Sequence, residues 1–173
     1  MRSLILKLSV AGLFFAHGCL CFAEDYVGRI VGVMDGDTVD LLTDSKELIR
    51  VRLSGIDAPE KKQPFGNVAK QALSDLTFDR RVVIKGYKRD RWGRLIGKVT
   101  ASGVDANLQM VKRGLAWHYK KYQKEQPLED RQIYAEAELA AKAKRLGLWS
   151  ENEPVSPWDF RANKRPAKQA SRS

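Results

Sequence analysis

Residues 26–53 read YVGRIVGVMDGDTVDLLTDSKELIRVRL, three short β-like runs divided by two turn signals. The runs are Tyr26 to Met34, Thr38 to Leu42 and Glu47 to Leu53. Asp35-Gly36 joins the first two, a dipeptide favoured where a tight hairpin needs positive φ, and Thr43-Asp44-Ser45-Lys46 joins the second to the third. That order is an antiparallel meander. In the third run Ile49, Val51 and Leu53 alternate with Arg50 and Arg52, so a period of two sends both guanidinium groups to the face opposite the aliphatic side chains. One face is core, and the other meets solvent or ligand.

Beyond a polar loop (Lys61 to Gly66), the positions Val68, Ala69, Ala72, Leu73 and Leu76 recur at helical spacing and predict an amphipathic helix from Asn67 to Thr77. Arg81 to Tyr87 and Leu95 to Thr100 form a second predicted hairpin around Lys88 to Gly93. Asp105 is placed to cap a short helix that turns Leu108, Val111 and Leu115 inward. A last helix, Glu129 to Arg145, offers Ile133, Ala137, Ala140 and Ala141 on one side and ends at Gly147, with Trp149 closing the core behind it. The expected fold is therefore α+β but β-rich: a five-stranded Greek-key barrel of the OB type with three helices.

The first 23 residues differ from the rest. Arg2 and Lys7 precede the apolar stretch Leu8 to Phe15, and Cys21-Phe22-Ala23 offers a cleavage point, which is the pattern of a secretory signal peptide. The rival reading is lipid attachment at Cys19, but Ala16-His17-Gly18 lacks the usual aliphatic residue three positions upstream. The expectation is an exported protein, periplasmic or secreted, with no stable membrane association. Removing 23 of 173 residues leaves 150, enough for one domain, and takes both cysteines with it, so neither a disulfide nor a thiolate metal site is available. The net charge of +10 falls to +8 with the loss of Arg2 and Lys7, which favours polyanionic partners, although many basic secreted proteins carry such charge only as a solvated face. The domain is expected to span residues 24–151. Residues 152–173 carry Pro154, Pro157 and Pro166, show little periodicity, and have five basic and no acidic residues from Arg161 onward, which reads as a disordered basic tail.

Two carboxylate clusters stand out, Asp35-Gly36-Asp37-Thr38 in the first turn and Asp57-Ala58-Pro59-Glu60 after the third strand. Neither contains His or Cys, and an all-oxygen ligand set selects a hard cation, Ca²⁺ or Mg²⁺, over zinc. Either cluster alone is ordinary turn chemistry. With Arg52 and the second-hairpin stretch Asp90-Arg91-Trp92-Gly93-Arg94 they compose an ordered set that can bind and cleave a phosphodiester: a cation for the phosphate, a carboxylate for water and donors for the growing charge.

The run Asp35-Gly36-Asp37-Thr38-Val39, then Arg52-Leu53-Ser54-Gly55-Ile56-Asp57-Ala58-Pro59-Glu60, then Asp90-Arg91-Trp92-Gly93-Arg94 closely resembles the staphylococcal nuclease (thermonuclease) family. Asn107-Leu108, Gly114-Leu115-Ala116 and Gly147-Leu148-Trp149-Ser150 extend the resemblance over about Tyr26 to Glu151. It implies Asp37 and Asp57 as ligands of one Ca²⁺ ion, ahead of Mg²⁺, with the Ala58 carbonyl completing the protein's share and Asp35 standing beside the metal. It implies Glu60 as general base and Arg52 and Arg94 as the pair that grips phosphate. Trp92, Tyr119 and Tyr122 fall near positions where the family sets rings against the nucleoside; ordinary packing is the competing account, and it weighs most for Trp117. The family pattern has threonine at position 58, tyrosine at 92 and a longer loop between Glu60 and Phe65. His118, with no partner motif, is read as structural.

The implied activity is a monomeric endonuclease of low sequence specificity that acts on DNA and RNA and leaves 3′-phosphate products. A non-catalytic OB-fold nucleic-acid-binding module is the alternative, and a basic surface-adhesion protein is a third. A pure binder gains nothing from Asp37, Asp57 and Glu60 beside a polyanion, because carboxylates there repel phosphate unless a metal intervenes.

Overall fold

Alternation along the three N-terminal runs builds the meander seen in the structure, a computed structural model describing residues 24–164. The signal-peptide reading of residues 1–23, Cys19 included, lies outside the described residues, as do residues 165–173. Strands β1 (Glu24–Val33), β2 (Thr38–Thr43) and β3 (Leu48–Leu53) pair antiparallel in sequence. In β3 the aliphatic side chains of Ile49, Val51 and Leu53 are buried, as period two requires. A two-residue strand β4 (Ile56–Asp57) follows, then helix α1 (Gly66–Thr77), β5 (Arg81–Arg89) and β6 (Leu95–Ala101).

The strand order β3-β2-β1-β5-β6 closes on itself because β3 and β6 pair in parallel, Val51 opposite Leu95 and Arg52 opposite Ile96. Closure removes the sheet's open edges and makes the five-stranded OB-type barrel. The remaining elements are the short β7 (Val104–Asp105), α2 (Ala106–Lys112), β8 (Trp117–His118), α3 (Leu128–Ala143) and α4 (Pro157–Asn163), with 3₁₀ turns at Lys120–Glu125 and Gly147–Ser150. As expected, Asp105 caps α2 by accepting from the Leu108 N–H. Trp149 is buried with Leu148 and Ala141 in a small second core. Among the described residues no helix is long and apolar enough to cross a membrane.

Four expectations change. Gly36 does not adopt positive φ, and the β1–β2 connection is a wider loop in which the Met34 N–H donates to the Thr38 carbonyl. Glycine is needed there for space: a Cβ at position 36 would stand 2.7 Å from the Cβ atoms of both Ala58 and Ala69. Helix α3 buries Tyr134, Ala137, Glu138 and Ala141, while Ile133 and Ala140 are exposed. Its inward face is partly polar because the Tyr134 hydroxyl donates to Asp105, and Glu138 accepts from the His118 N–H and pairs with Lys120 and Lys142. Helix α2 buries Val111, and Leu115 just beyond it, as expected, but it also turns Asn107 and Met110 fully inward and leaves Leu108 half-buried. Finally, α4 is a fourth helix inside the segment read as a disordered tail. Ser156 caps it, Pro157 opens it, and the Asp159 carboxylate accepts from the Ser156 hydroxyl.

Candidate active site

Arg50 and Arg52 share one face of β3 and have different fates. Arg50 lies opposite Asp40 of β2 and forms a surface pair with it at 2.8 and 3.2 Å. Arg52, opposite Thr38, is the last outward residue before the chain turns through Ser54 and Gly55 into β4. Its side chain is only 13% exposed. Nη1 donates to the carbonyls of Leu53 (2.7 Å) and Ile56 (2.9 Å), fixing the guanidinium against the turn that it precedes. Nη2 lies 2.8 Å from Asp57 Oδ1 and 3.0 Å from Asp37 Oδ2. The two acidic turns, twenty residues apart in sequence, therefore converge on one nitrogen atom.

Local structure holds each carboxylate in place. Asp57 sits on β4, whose pairing with β8 sets it opposite Trp117, and it is 1% exposed. Asp37 Oδ2 accepts from the Ala58 N–H at 2.8 Å and Oδ1 accepts from the Thr38 hydroxyl at 3.1 Å, so the first acidic turn is stitched to the second. Asp35 Oδ1 accepts from the Asp37 N–H and stays outside direct contact with Arg52. Glu60 is half-exposed, and its N–H is tied to Gln63 Oε1 at 2.8 Å.

Burial, with the neighbouring Asp37 charge, pushes the Asp35 carboxyl up to about 6. Burial also raises Asp37, and the pull of Arg52 in the opposite direction does not cancel it. Asp35, Asp37, Asp57 and Glu60 bring four carboxylates together against two guanidinium groups, Arg52 and Arg161. Such a site is relieved by a hard divalent ion, and the all-oxygen donors of Asp37 and Asp57 fit one. Among the described residues no three His, Cys, Asp or Glu side chains form a metal cage by themselves.

The structure does not bring Arg94 into contact with this cluster. Its Nε and Nη2 each lie 2.8 Å from Asp90 Oδ2, and its guanidinium stands 5.1 Å from the Trp92 ring. Asp90 also accepts from the Trp92 and Arg94 N–H groups, so one carboxylate shapes the turn and aims the arginine. Gly93 supplies the positive φ that this turn requires. Register sets Arg94 one residue before Leu95, the partner of Val51, on the neighbouring barrel strand. Trp92 is 66% exposed, with Arg91 against its ring at 4.1 Å. Tyr119 and Tyr122 meet edge to face at 5.1 Å. His118 is buried, with Nε2 3.0 Å from Gln126 Oε1, and burial pushes its pKa below the ordinary value.

Sequence reasoning missed two residues, both on α4. Arg161 reaches Asp57 and Glu60 with its guanidinium, and Trp158 stacks on Tyr119. The signal was present in Ser156-Pro157-Trp158-Asp159, a capping pattern with proline at the first helical position.

Fold and centre together define the class: a small OB-type barrel that carries, at one end, buried carboxylates gathered on an arginine. The sequence model for "Staphylococcal nuclease homologue" matches residues 50–151. The chain is 40% identical over 149 residues to an "uncharacterized endonuclease" of Haemophilus influenzae, covering 86% of this chain and 80% of that one. It is 42% identical over 146 residues to a "micrococcal nuclease" of Shigella flexneri (79% and 81% covered) and 38% identical over 151 residues to an "uncharacterized endonuclease" of Escherichia coli O157:H7 (87% and 93%). The chain belongs to the staphylococcal nuclease family.

Proposed function

We propose that this family member is an exported, calcium-dependent endonuclease that hydrolyses phosphodiester bonds of DNA and RNA with low sequence specificity, leaving 3′-phosphate products. Its place in a nuclease family makes it a phosphodiester hydrolase. The observation that supports metal-dependent cleavage is the meeting of Asp37 and Asp57 on Arg52 Nη2, with Glu60 three residues beyond Asp57, while export rests on the signal pattern of residues 1–23 and the products on the family resemblance.

In this reading Asp37, Asp57 and the Ala58 carbonyl hold the ion, and Asp35 stands behind it. An ion held there would offset phosphate charge and strengthen the phosphorus as an electrophile. Arg52, anchored through Nη1 on the Leu53 and Ile56 carbonyls, would turn Nη2 from the Asp37 and Asp57 carboxylates to a phosphate oxygen once an ion took up those carboxylates. Glu60 takes a proton from the attacking water as its oxygen bonds to phosphorus, the P–O5′ bond breaks with the departing 5′ oxygen protonated from solvent, and the 3′ oxygen keeps the phosphate. Arg94, aimed by Asp90, grips the phosphate from the second hairpin, and Trp92, Tyr119 and Tyr122 offer ring faces to bases.

Plasmid nicking with and without EGTA tests the reading. Cleavage should require the metal and fall by about 10²-fold or more in Glu60→Gln, the usual order for losing a general base. Cleavage insensitive to that substitution would remove Glu60 from the mechanism. Metal-dependent binding with no nicking would leave an OB-fold binding module.

A further inference from the structure

Helix α4 is not a bystander beside the site. Arg161 Nη2 lies 2.7 Å from Asp57 Oδ2, and Nη1 lies 3.3 Å from Asp57 Oδ1 and 2.8 Å from Glu60 Oε1. One guanidinium thus engages both oxygens of a proposed metal ligand together with the proposed base. On the same helix the Trp158 ring lies parallel to Tyr119, with centroids 5.2 Å apart and planes at 9°, and meets Trp117 edge to face at 5.4 Å. Stacking of this kind covers a face of Tyr119 that a nucleobase would need. The helix is anchored from before its first turn: Ser156 and Pro157 are buried, and the Val155 carbonyl accepts from Gln63 Nε2, whose amide oxygen holds the Glu60 N–H. The covering element and the base-bearing turn are joined through one glutamine.

Arg52 engages Asp57 Oδ1 and leaves Oδ2 open, and Arg161 takes Oδ2, so with α4 docked a divalent cation finds a guanidinium on both oxygens of Asp57 and must compete with Arg161 for the open one. Arg161 also has the advantage of a tether, which gives a short chain segment an effective concentration on the order of millimolar. We propose that α4 is an intrasteric strap. Arg161 acts as a tethered surrogate cation on Asp57 and Glu60, Trp158 shields Tyr119, and metal and nucleic acid bind only when the helix leaves. A released Arg161 is then free to meet phosphate, so substrate and metal both draw the strap open. The proposal rests on the calcium reading and goes beyond it by making metal affinity depend on a residue that is not a ligand.

Calorimetric titration of the purified protein with CaCl₂ alone, without nucleic acid, tests it. Because the apparent dissociation constant is divided by the fraction of open molecules, Arg161→Gln should tighten Ca²⁺ binding by about tenfold or more. Arg161→Lys should fall between the variant and the wild type. Trp158→Ala, which touches no carboxylate, should also tighten binding by loosening the helix. Calcium binding that is equal or weaker in Arg161→Gln overturns the strap while leaving the calcium reading intact. Absence of calcium binding in the wild type and in every variant overturns the calcium reading and the strap with it.

Discussion

Arg52 and Arg94 are both arginines on barrel-strand ends, yet their surroundings ask different things of them. Arg52 has its Nη1 committed to two carbonyls and its Nη2 to two carboxylates, so it is part of the structure before any substrate arrives. Arg94 is held by one carboxylate on a half-exposed hairpin. Substituting lysine at 94 keeps the charge but loses the planar fork that matches both Asp90 and a phosphate. Arg94→Lys should lower kcat by about tenfold or more while changing KM little, as read from steady-state cleavage of a short labelled duplex. A matching rise in KM with unchanged kcat would make Arg94 a substrate-binding residue only.

Among the elements, the barrel strands were legible because alternation is a property of the chain alone: Ile49, Val51 and Leu53 had to face one way. The faces of α2 and α3 were not, since Asn107, Tyr134 and Glu138 are buried through partners supplied by distant segments. Asn107 Oδ1 accepts from the Val99 N–H and its Nδ2 donates to the Ser54 carbonyl, contacts that no local pattern encodes. The residues at the centre were legible only as an ordered set matched to a family, because Asp35-Gly36 or Asp57-Ala58-Pro59 alone is turn chemistry. Helix α4 was hidden for the opposite reason: its capping signal was plain, but proline density and a basic terminus outweighed it. The loop at Gly36 shows how much an element's packing matters to the site. Gly36→Ala forces a methyl group between Ala58 and Ala69, and overpacking of this kind costs about 1–3 kcal/mol. Urea denaturation should register that loss, and plasmid nicking should slow because the two acidic turns are pushed apart. Unchanged stability would show that the loop relaxes freely and that glycine is dispensable there.

For the whole molecule, stability should depend on pH through His118. Its ring is buried beside Tyr134, its backbone N–H donates to Glu138, Lys120 lies nearby on the same carboxylate, and Nδ1 finds no hydrogen-bond partner. Burial lowers its pKa in the folded state below 6.5, while Glu138 and the Gln126 hydrogen bond pull the other way without prevailing. Above pH 6.5 both folded and unfolded forms hold a neutral ring, and His118 adds no pH dependence. As pH falls below 6.5 the unfolded chain takes up the proton first, so stability is lost by up to about 1.4 kcal/mol per pH unit until the folded-state pKa is reached. Comparing urea midpoints at pH 7 and pH 5 should show a smaller drop for His118→Gln than for the wild type. An equal drop would assign the acid sensitivity to the carboxylates instead.

The convergence of two acidic turns on a single arginine is also a statement about the whole molecule, since it needs β2, β3, β4 and β8 in register together. Calcium titration with Asp37→Asn and Asp57→Asn tests it most directly. The wild type should bind one Ca²⁺ ion per chain, and either substitution alone should abolish that binding while the far-ultraviolet circular dichroism stays native. One ion bound with unchanged affinity in both variants would contradict a shared metal site on Asp37 and Asp57.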